Sequence, residues 1–131
     1  MKFILIIIAQ VHDLVLDTIP KFDIILFRHT MVDLKTFDVV KVLKNFYGSR
    51  SKYMVATNFP DVEASNGFSI YLIHDSYCSQ ENIELPKGDN PRHRQINLHL
   101  PPFSLPPPVC QSMDGDSGMD YISFWELGML S

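Results

Sequence analysis

Two polar residues able to take part in chemistry, Arg28 and His29, stand at the abrupt end of an apolar run over Phe22–Phe27. Histidine side chains ordinarily titrate near neutrality, so His29 is a candidate general base. Arg28 is a candidate for ligand contact or for a structural hydrogen bond to the next loop. The alternative for both is a pair of solvated polar residues that close a buried strand. Ligands of open parallel sheets bind beyond the carboxyl ends of the strands, so Asp13 and Asn58, which follow two other apolar runs, are candidates for the same edge.

Other groups of metal-ligating or thiol side chains do not indicate a metal site or a disulfide framework. The stretch His74–Cys78 has no paired His or Cys at ligand spacing elsewhere, so we predict no metal site. Asp114–Asp116 lacks the remaining positions of a calcium loop and fits a tight turn better. The two cysteines, Cys78 and Cys110, make no disulfide framework. We expect reduced thiols in an intracellular, cytoplasmic protein.

The length and the net charge of the chain limit the number of domains and the kinds of partner that we expect. A chain of 131 residues with 46% apolar residues can build one domain with a core, and hardly two. The formal charge of −4 gives no electrostatic reason to expect nucleic acid or an anionic membrane surface as a partner.

Three apolar runs predict strands of a parallel sheet: Phe3–Val11, Phe22–Phe27 and Lys52–Thr57. The isoleucine-rich first run is typical of a strand buried on both faces, and the second is predicted to be a buried strand. For the first run, the alternative is a secretory signal or anchor segment. It is short for such a segment, and Ala9-Gln10-Val11 is a poor cleavage site. It is also far too short to span a bilayer.

A helix is predicted between the second and third strands. Asp33 or Thr36 can cap its start, and Gly48 suits the position after its end. Residues at helical spacing predict its apolar face: Phe37, Val40, Leu43 and Phe46 or Tyr47. A helix between two buried strands is a βαβ crossover, which implies parallel pairing.

The second half of the chain is less regular. Residues 61–95 read as a loop or insertion, with an isolated strand-like run at Phe68–His74. Residues 96–108 hold five prolines threaded with apolar residues, and we interpret them as an extended arm over the sheet. The alternative is a polyproline ligand for a partner. A predicted hairpin follows, with arms at Val109–Met113 and Met119–Leu127 and a turn at Asp114–Gly118.

Four separated stretches occur in a recognisable order: "HDLVLDTIPKFDIILFRH", "SKYMVATNFP", "QINLHLPPFSLPPP" and "FWEL". Together they resemble the second half of a class I, Rossmann-like S-adenosylmethionine-dependent methyltransferase. The resemblance covers most of residues 11–127 and rests on the order of several motifs, since no single motif is specific.

This resemblance implies transfer of a methyl group from S-adenosylmethionine to an acceptor that the sequence does not identify. It implies cofactor contacts from Asp13 and Leu14, with the Asp13 carboxylate accepting a hydrogen bond from the adenine amino group. It also places Arg28 at the edge where cofactor and acceptor meet. His29 stands where the family has an acid, so its role as a base is the weakest of these assignments.

One departure from the family limits what the chain can do. Complete enzymes of this type begin with a strand and a glycine-rich turn, because only glycine lets the main chain approach the cofactor closely. This sequence has no glycine before Gly48. We therefore expect a truncated α/β domain that is inactive alone, with parallel strands, a crossover helix and a C-terminal antiparallel hairpin. Its uncovered sheet edge predicts self-association. The alternative function is a non-catalytic interaction module that uses this edge or the proline-rich segment.

Overall fold

The computed structural model describes residues 2, 4, 7–61, 95–115 and 120–129. In this part of the chain it has the following helix and strands: β1 (Ile24–Phe27), α1 (Thr36–Gly48), β2 (Tyr53–Asn58), β3 (Cys110–Met113) and β4 (Tyr121–Glu126). Short 3-10 helices at Met31–Asp33 and Leu127–Met129 precede α1 and follow β4. The described helices include none that is long and apolar enough to cross a membrane.

The strands form one four-stranded mixed sheet in the order β1-β2-β4-β3. β1 and β2 pair in parallel, with Ile25 opposite Met54, and α1 makes the connection between them. β4 is antiparallel to both of its neighbours, so β3 runs in the same direction as β1 and β2. The predicted α/β class, the crossover helix and the terminal antiparallel hairpin are confirmed.

Successive side chains along each strand point to opposite faces of the sheet, and the two faces are buried to different extents. Residues of the first face are buried: Ile25, Phe27, Met54, Ala56, Ser123 and Trp125. α1 packs on this face, where Phe27 and Phe46 meet edge to face with centroids 5.0 Å apart. On the second face, Ile24 and Leu26 are exposed. The sequence predicted a buried strand here, and β1 is buried on one face only.

The first predicted strand, Phe3–Val11, is not formed in its described residues. Residues 7–11 lie outside regular secondary structure, and Ile4, Ile7 and Ile8 are 77–86% exposed. A run of β-branched residues favours a strand only when a neighbouring strand and covering layers are available. The described part of the chain supplies no such neighbour beside β1.

The helix is present, but a different set of residues faces the sheet. Val39, Val42 and Phe46 are buried, whereas Phe37 is 67% exposed. Apolar residues occur on several sides of this helix, so spacing alone did not select the face that meets the sheet. The predicted caps are also wrong: Lys35 occupies the N-cap without a side-chain hydrogen bond, and the helix includes Gly48.

The proline-rich segment lies against the sheet as predicted. Ile96 and Leu98 are buried in the same core as Trp125. The Trp125 indole N–H donates to the carbonyl of Pro106 at 2.9 Å. The segment is not extended throughout, because turns fold it back until Leu105 N–H reaches Leu98 O at 2.8 Å. We call residues 95–108 the proline arm.

Two other sequence predictions fall largely outside the described residues. The loop or insertion at 61–95 has only its two ends described, and the strand-like run Phe68–His74 has none of its residues described. The hairpin turn is described at its base, where Asp114 N–H donates to Asp120 O at 2.9 Å.

The helix face can be tested by comparing two substitutions. We expect Val42→Ala to lower the free energy of unfolding by about 1–3 kcal/mol, because Val42 has no exposed surface and its removal leaves a cavity. Phe37→Ala should change it by less than about 0.5 kcal/mol, since that ring is mostly in water. Urea denaturation followed by circular dichroism measures both. A larger loss for Phe37→Ala would contradict the observed packing.

Candidate functional site

Four charged or titratable side chains meet at one end of the sheet. Arg28 and His29 follow β1, Asp114 follows β3, and Asp120 precedes β4. Since β4 runs opposite to the other strands, its start lies at the end where β1, β2 and β3 finish. The topology therefore brings together residues about ninety positions apart in sequence. We call these four residues the strand-end cluster.

The strongest interaction in the strand-end cluster is a two-bond ion pair between Arg28 and Asp114. Arg28 Nε donates to Asp114 Oδ2 at 2.8 Å, and Arg28 Nη2 donates to Asp114 Oδ1 at 2.9 Å. Such bidentate pairs fix orientation as well as charge. The hydrogen bond from Arg28 is the main reason that the pKa of Asp114 lies below its ordinary value, and the same bond raises the pKa of Arg28. The sequence predicted ligand contact or a hydrogen bond to the next loop for Arg28, and the observed partner, Asp114, is neither of these.

His29 is held in a less common backbone conformation next to this ion pair. Its φ of 54° lies in the left-handed region, which costs a residue with a side chain on the order of 1–3 kcal/mol. The backbone N–H of His29 donates to the buried Thr57 hydroxyl at 2.8 Å, and this bond holds the turn. Its Nε2 lies 3.1 Å from Asp114 Oδ2 and 3.8 Å from Asp120 Oδ2. A protonated ring would therefore donate to a carboxylate already in place.

The ligand atoms of His29, Asp114 and Asp120 all lie within 4.8 Å of one another, which is a donor set that a divalent cation can use. The sequence predicted no metal site here, because Asp114 was assigned to a turn. The positively charged guanidinium of Arg28 already donates hydrogen bonds to both carboxylate oxygens of Asp114. A cation would have to compete with that guanidinium, so the contacts support an ion-pair network.

The other predicted site residues are separate from this cluster. Asp13 is part of a local turn in which its Oδ1 accepts hydrogen bonds from the backbone N–H groups of Val15 and Leu16, at 2.9 and 3.2 Å. Leu14 packs against the core, and its carbonyl accepts a hydrogen bond from Asn45 Nδ2 at 2.8 Å. In this structure the Asp13 carboxylate therefore stabilises its own turn.

A buried amide at the end of β2 fastens the proline arm. Asn58 is fully buried, and its Oδ1 accepts the Leu98 N–H at 2.8 Å. Its Nδ2 lies 3.2 Å from His99 Nε2, while His99 Nδ1 lies 3.1 Å from Leu105 O. Because Asn58 Nδ2 can only donate, Nε2 must accept and Nδ1 must carry the proton. The sequence placed Asn58 at a strand end but assigned His99 no role.

An apolar groove of about 430 Å³ runs along β1, on the side away from β2. The side chains of Gln10, His12 and Leu14 form one wall, and residues of β1 form the other. A smaller cavity of about 280 Å³ separates α1 from the proline arm, between Leu43 and Phe103. The groove exposes the outer edge of the only parallel pair found in the described sheet.

Comparisons of the chain with protein-family models, curated proteins and solved structures found no match.

The Arg28–Asp114 pair predicts a specific pH dependence. The pKa of Asp114 is lowered by folding, so its contribution to stability is present above the unfolded value of about 3.9 and is lost as pH falls through the lower folded value. Asp114→Asn should therefore be less stable than the parent at pH 7, and the difference should shrink between about pH 4 and pH 2. Thermal unfolding across this range measures it. Asp61→Asn, on the loop after β2, controls for the loss of one negative charge. A difference that grows on acidification would contradict the assignment.

The Asn58–His99 contact can be isolated by a double-mutant cycle. We expect Asn58→Ala to cost about 1–3 kcal/mol, because it leaves the Leu98 N–H without its partner. The coupling energy between Asn58→Ala and His99→Ala should be about 0.5–2 kcal/mol. Urea denaturation of the parent, both single variants and the double variant gives this value. Strict additivity would show that the two side chains do not interact.

Proposed function

We propose that this chain is the C-terminal half of an S-adenosylmethionine-dependent methyltransferase-like domain and that it does not bind the cofactor by itself. The ordered motifs in residues 11–127 support the assignment. The observation that carries it is the edge of β1, where a strand of a parallel pair exposes apolar side chains and meets no further strand among the described residues.

Parallel sheets occur mostly with both faces covered, because their crossover connections place helices on the faces. In this structure α1 and the proline arm cover one face. Ile24 and Leu26 on the second face are 55% and 67% exposed, and both line the groove. A further strand and its covering helices would bury these apolar side chains. This supports a half-domain as the unit encoded by the sequence.

The residues present do not make a complete cofactor site. The chain has no glycine before Gly48, so no glycine-rich turn of the kind that approaches a cofactor precedes β1 in it. The carboxylate of Asp13 is engaged in its own turn, and the guanidinium of Arg28 is engaged by Asp114. S-adenosylmethionine would supply an activated methyl group, but we derive no transfer step from these residues.

A second function, a non-catalytic interaction module, is favoured by the same exposed edge. Edge strands with apolar side chains pair readily with other chains. The proline arm is a weaker candidate for such contacts, because Ile96 and Leu98 are buried against the protein's own core. The contact surface of such an interaction module is therefore the β1 edge.

Two measurements test the proposed function together. Calorimetric titration with S-adenosylhomocysteine should give no detectable binding to this chain at tens of micromolar protein, because the glycine turn is absent. The nucleotide sequence immediately upstream should encode a glycine-rich strand, turn and helix. The chain joined to that segment should then bind S-adenosylhomocysteine. Micromolar binding by the chain alone, or no binding by the joined protein, would contradict the proposal.

A further inference from the structure

The cavity between α1 and the proline arm is lined mostly by apolar side chains, and we call it the arm cavity. Its volume of about 280 Å³ is near the lower end of the range for sites that bind small organic molecules. Such sites combine an apolar lining with a few polar groups that fix the orientation of the ligand. The apolar lining includes Val40, Leu43, Phe103, Leu105 and Leu127.

The walls of the arm cavity belong to elements that are packed in place. Leu127 is buried in the hydrophobic core, and Leu43 and Phe103 pack against that core from α1 and from the proline arm. The Phe103 N–H also donates to Leu100 O at 3.1 Å, which closes the turn that carries this wall. A small molecule would therefore enter a space that is already formed, and this lowers the entropic cost of binding.

Two polar side chains, those of Lys44 and Tyr47, also line the arm cavity. Both residues are exposed, so their stems contribute to the wall while the ammonium and the hydroxyl lie in water at the mouth. Among the described lining residues, Lys44 is the one that carries a charge. The mouth of the cavity is therefore positive.

The charge of Lys44 has no carboxylate partner in the described part of the chain. No acidic residue lies three or four positions from it along α1, where helical ion pairs form. Lys41 differs in this respect, because Asp38 lies three positions before it and its Nζ lies 4.5 Å from the centre of the Phe37 ring. The Lys44 ammonium is therefore available to an anion that enters the cavity.

The larger groove along β1 does not have this combination of an apolar lining and an available charge. Among the described residues that line it, the polar ones are Gln10 and His12, and none is a lysine or an arginine. His12 Nε2 lies 3.1 Å from Gln10 Oε1, so these two polar groups already satisfy each other. The arm cavity is therefore the better candidate for binding an amphiphilic anion.

We propose that the arm cavity binds a small amphiphilic monocarboxylate. The apolar tail lies between Leu43 of α1 and Phe103 of the proline arm, and the carboxylate lies beside the Lys44 ammonium at the mouth. Burial of the tail supplies most of the affinity. The ion pair at the exposed mouth contributes less, but it selects ligands by the sign of their charge. This inference does not depend on cofactor binding or methyl transfer.

Titration of the full chain with octanoate, octan-1-ol and octylammonium, followed by ¹H–¹⁵N NMR at pH 7, tests the proposal. The three probes share an eight-carbon tail and differ in charge. Octanoate should bind with a dissociation constant of roughly 0.1–5 mM, the range for a ligand that buries a few methylenes. The shift changes should centre on the amides of residues 40–47 and 103–105. Octylammonium should bind roughly three- to tenfold more weakly than octanoate, with octan-1-ol between them.

A matched pair of variants tests the role of Lys44. Lys44→Glu should reverse the preference, so that octylammonium binds more tightly than octanoate, because the charge at the mouth changes sign. Lys41→Glu makes the same change one turn earlier on α1, at a residue that does not line the cavity, and octanoate should remain preferred. Far-UV circular dichroism of each variant establishes that the helix is retained.

Four results would overturn the proposal. They are no saturable binding of octanoate in this range, shift changes centred on the groove along β1, equal or tighter binding of octylammonium or octan-1-ol by the parent chain, and reversal of the preference by Lys41→Glu as well as by Lys44→Glu.

Discussion

The antiparallel pairing of β2 with β4 is the interaction on which the rest of the structure depends. It runs over six residue pairs, from Tyr53↔Glu126 to Asn58↔Tyr121. It joins the parallel unit of the first half to the hairpin of the second half, across more than sixty residues of sequence. Met54 and Trp125 lie opposite each other in the second of these pairs, and both are buried. The indole N–H of Trp125 is satisfied by the proline arm, so the arm and the central pair form one packed unit.

This pairing also explains why the charged residues and the apolar edge lie where they do. With β4 inserted between β2 and β3, the strand-end cluster forms at the end where β4 begins. The same insertion leaves β1 at the outside of the sheet. α1 and the proline arm cover one face, and burial of each large side chain there is worth about 1.5–3 kcal/mol. The second face and the β1 edge receive no comparable cover from the described residues.

Local sequence patterns predicted most of the described helices and strands. They did not predict which strands pair with each other. The helix, the strands near Phe22–Phe27 and Lys52–Thr57, and the final hairpin each have an apolar period or turn signal of their own. Phe3–Val11 has the composition of a strand, but its described residues lack a pairing partner. Whether such a run becomes a strand depends on its neighbours, which local composition does not encode.

The candidate site was predictable only in part, for the same reason. Arg28 and His29 were recognised because they interrupt an apolar run. Their contact with Asp114 depends on the direction of β4, and β4 is specified by pairing across the whole sheet. Asp114 and Asp116 were grouped as turn residues, and no local signal connected Asp114 with Arg28. The Asn58–His99 contact likewise joins positions that lie far apart in sequence.

Among the described residues, β1 is an apolar edge without a second partner strand, and it lies beside the well-buried pair β2–β4. Hydrogen–deuterium exchange of backbone amides, followed by NMR at a concentration where the chain is monomeric, tests it most directly. We expect strong protection for Met54 and Trp125, and fast exchange for the β1 amides that point away from β2. Protection of those outer β1 amides equal to that of β2 in the monomer would contradict the account, because it would show that another part of the chain covers the edge.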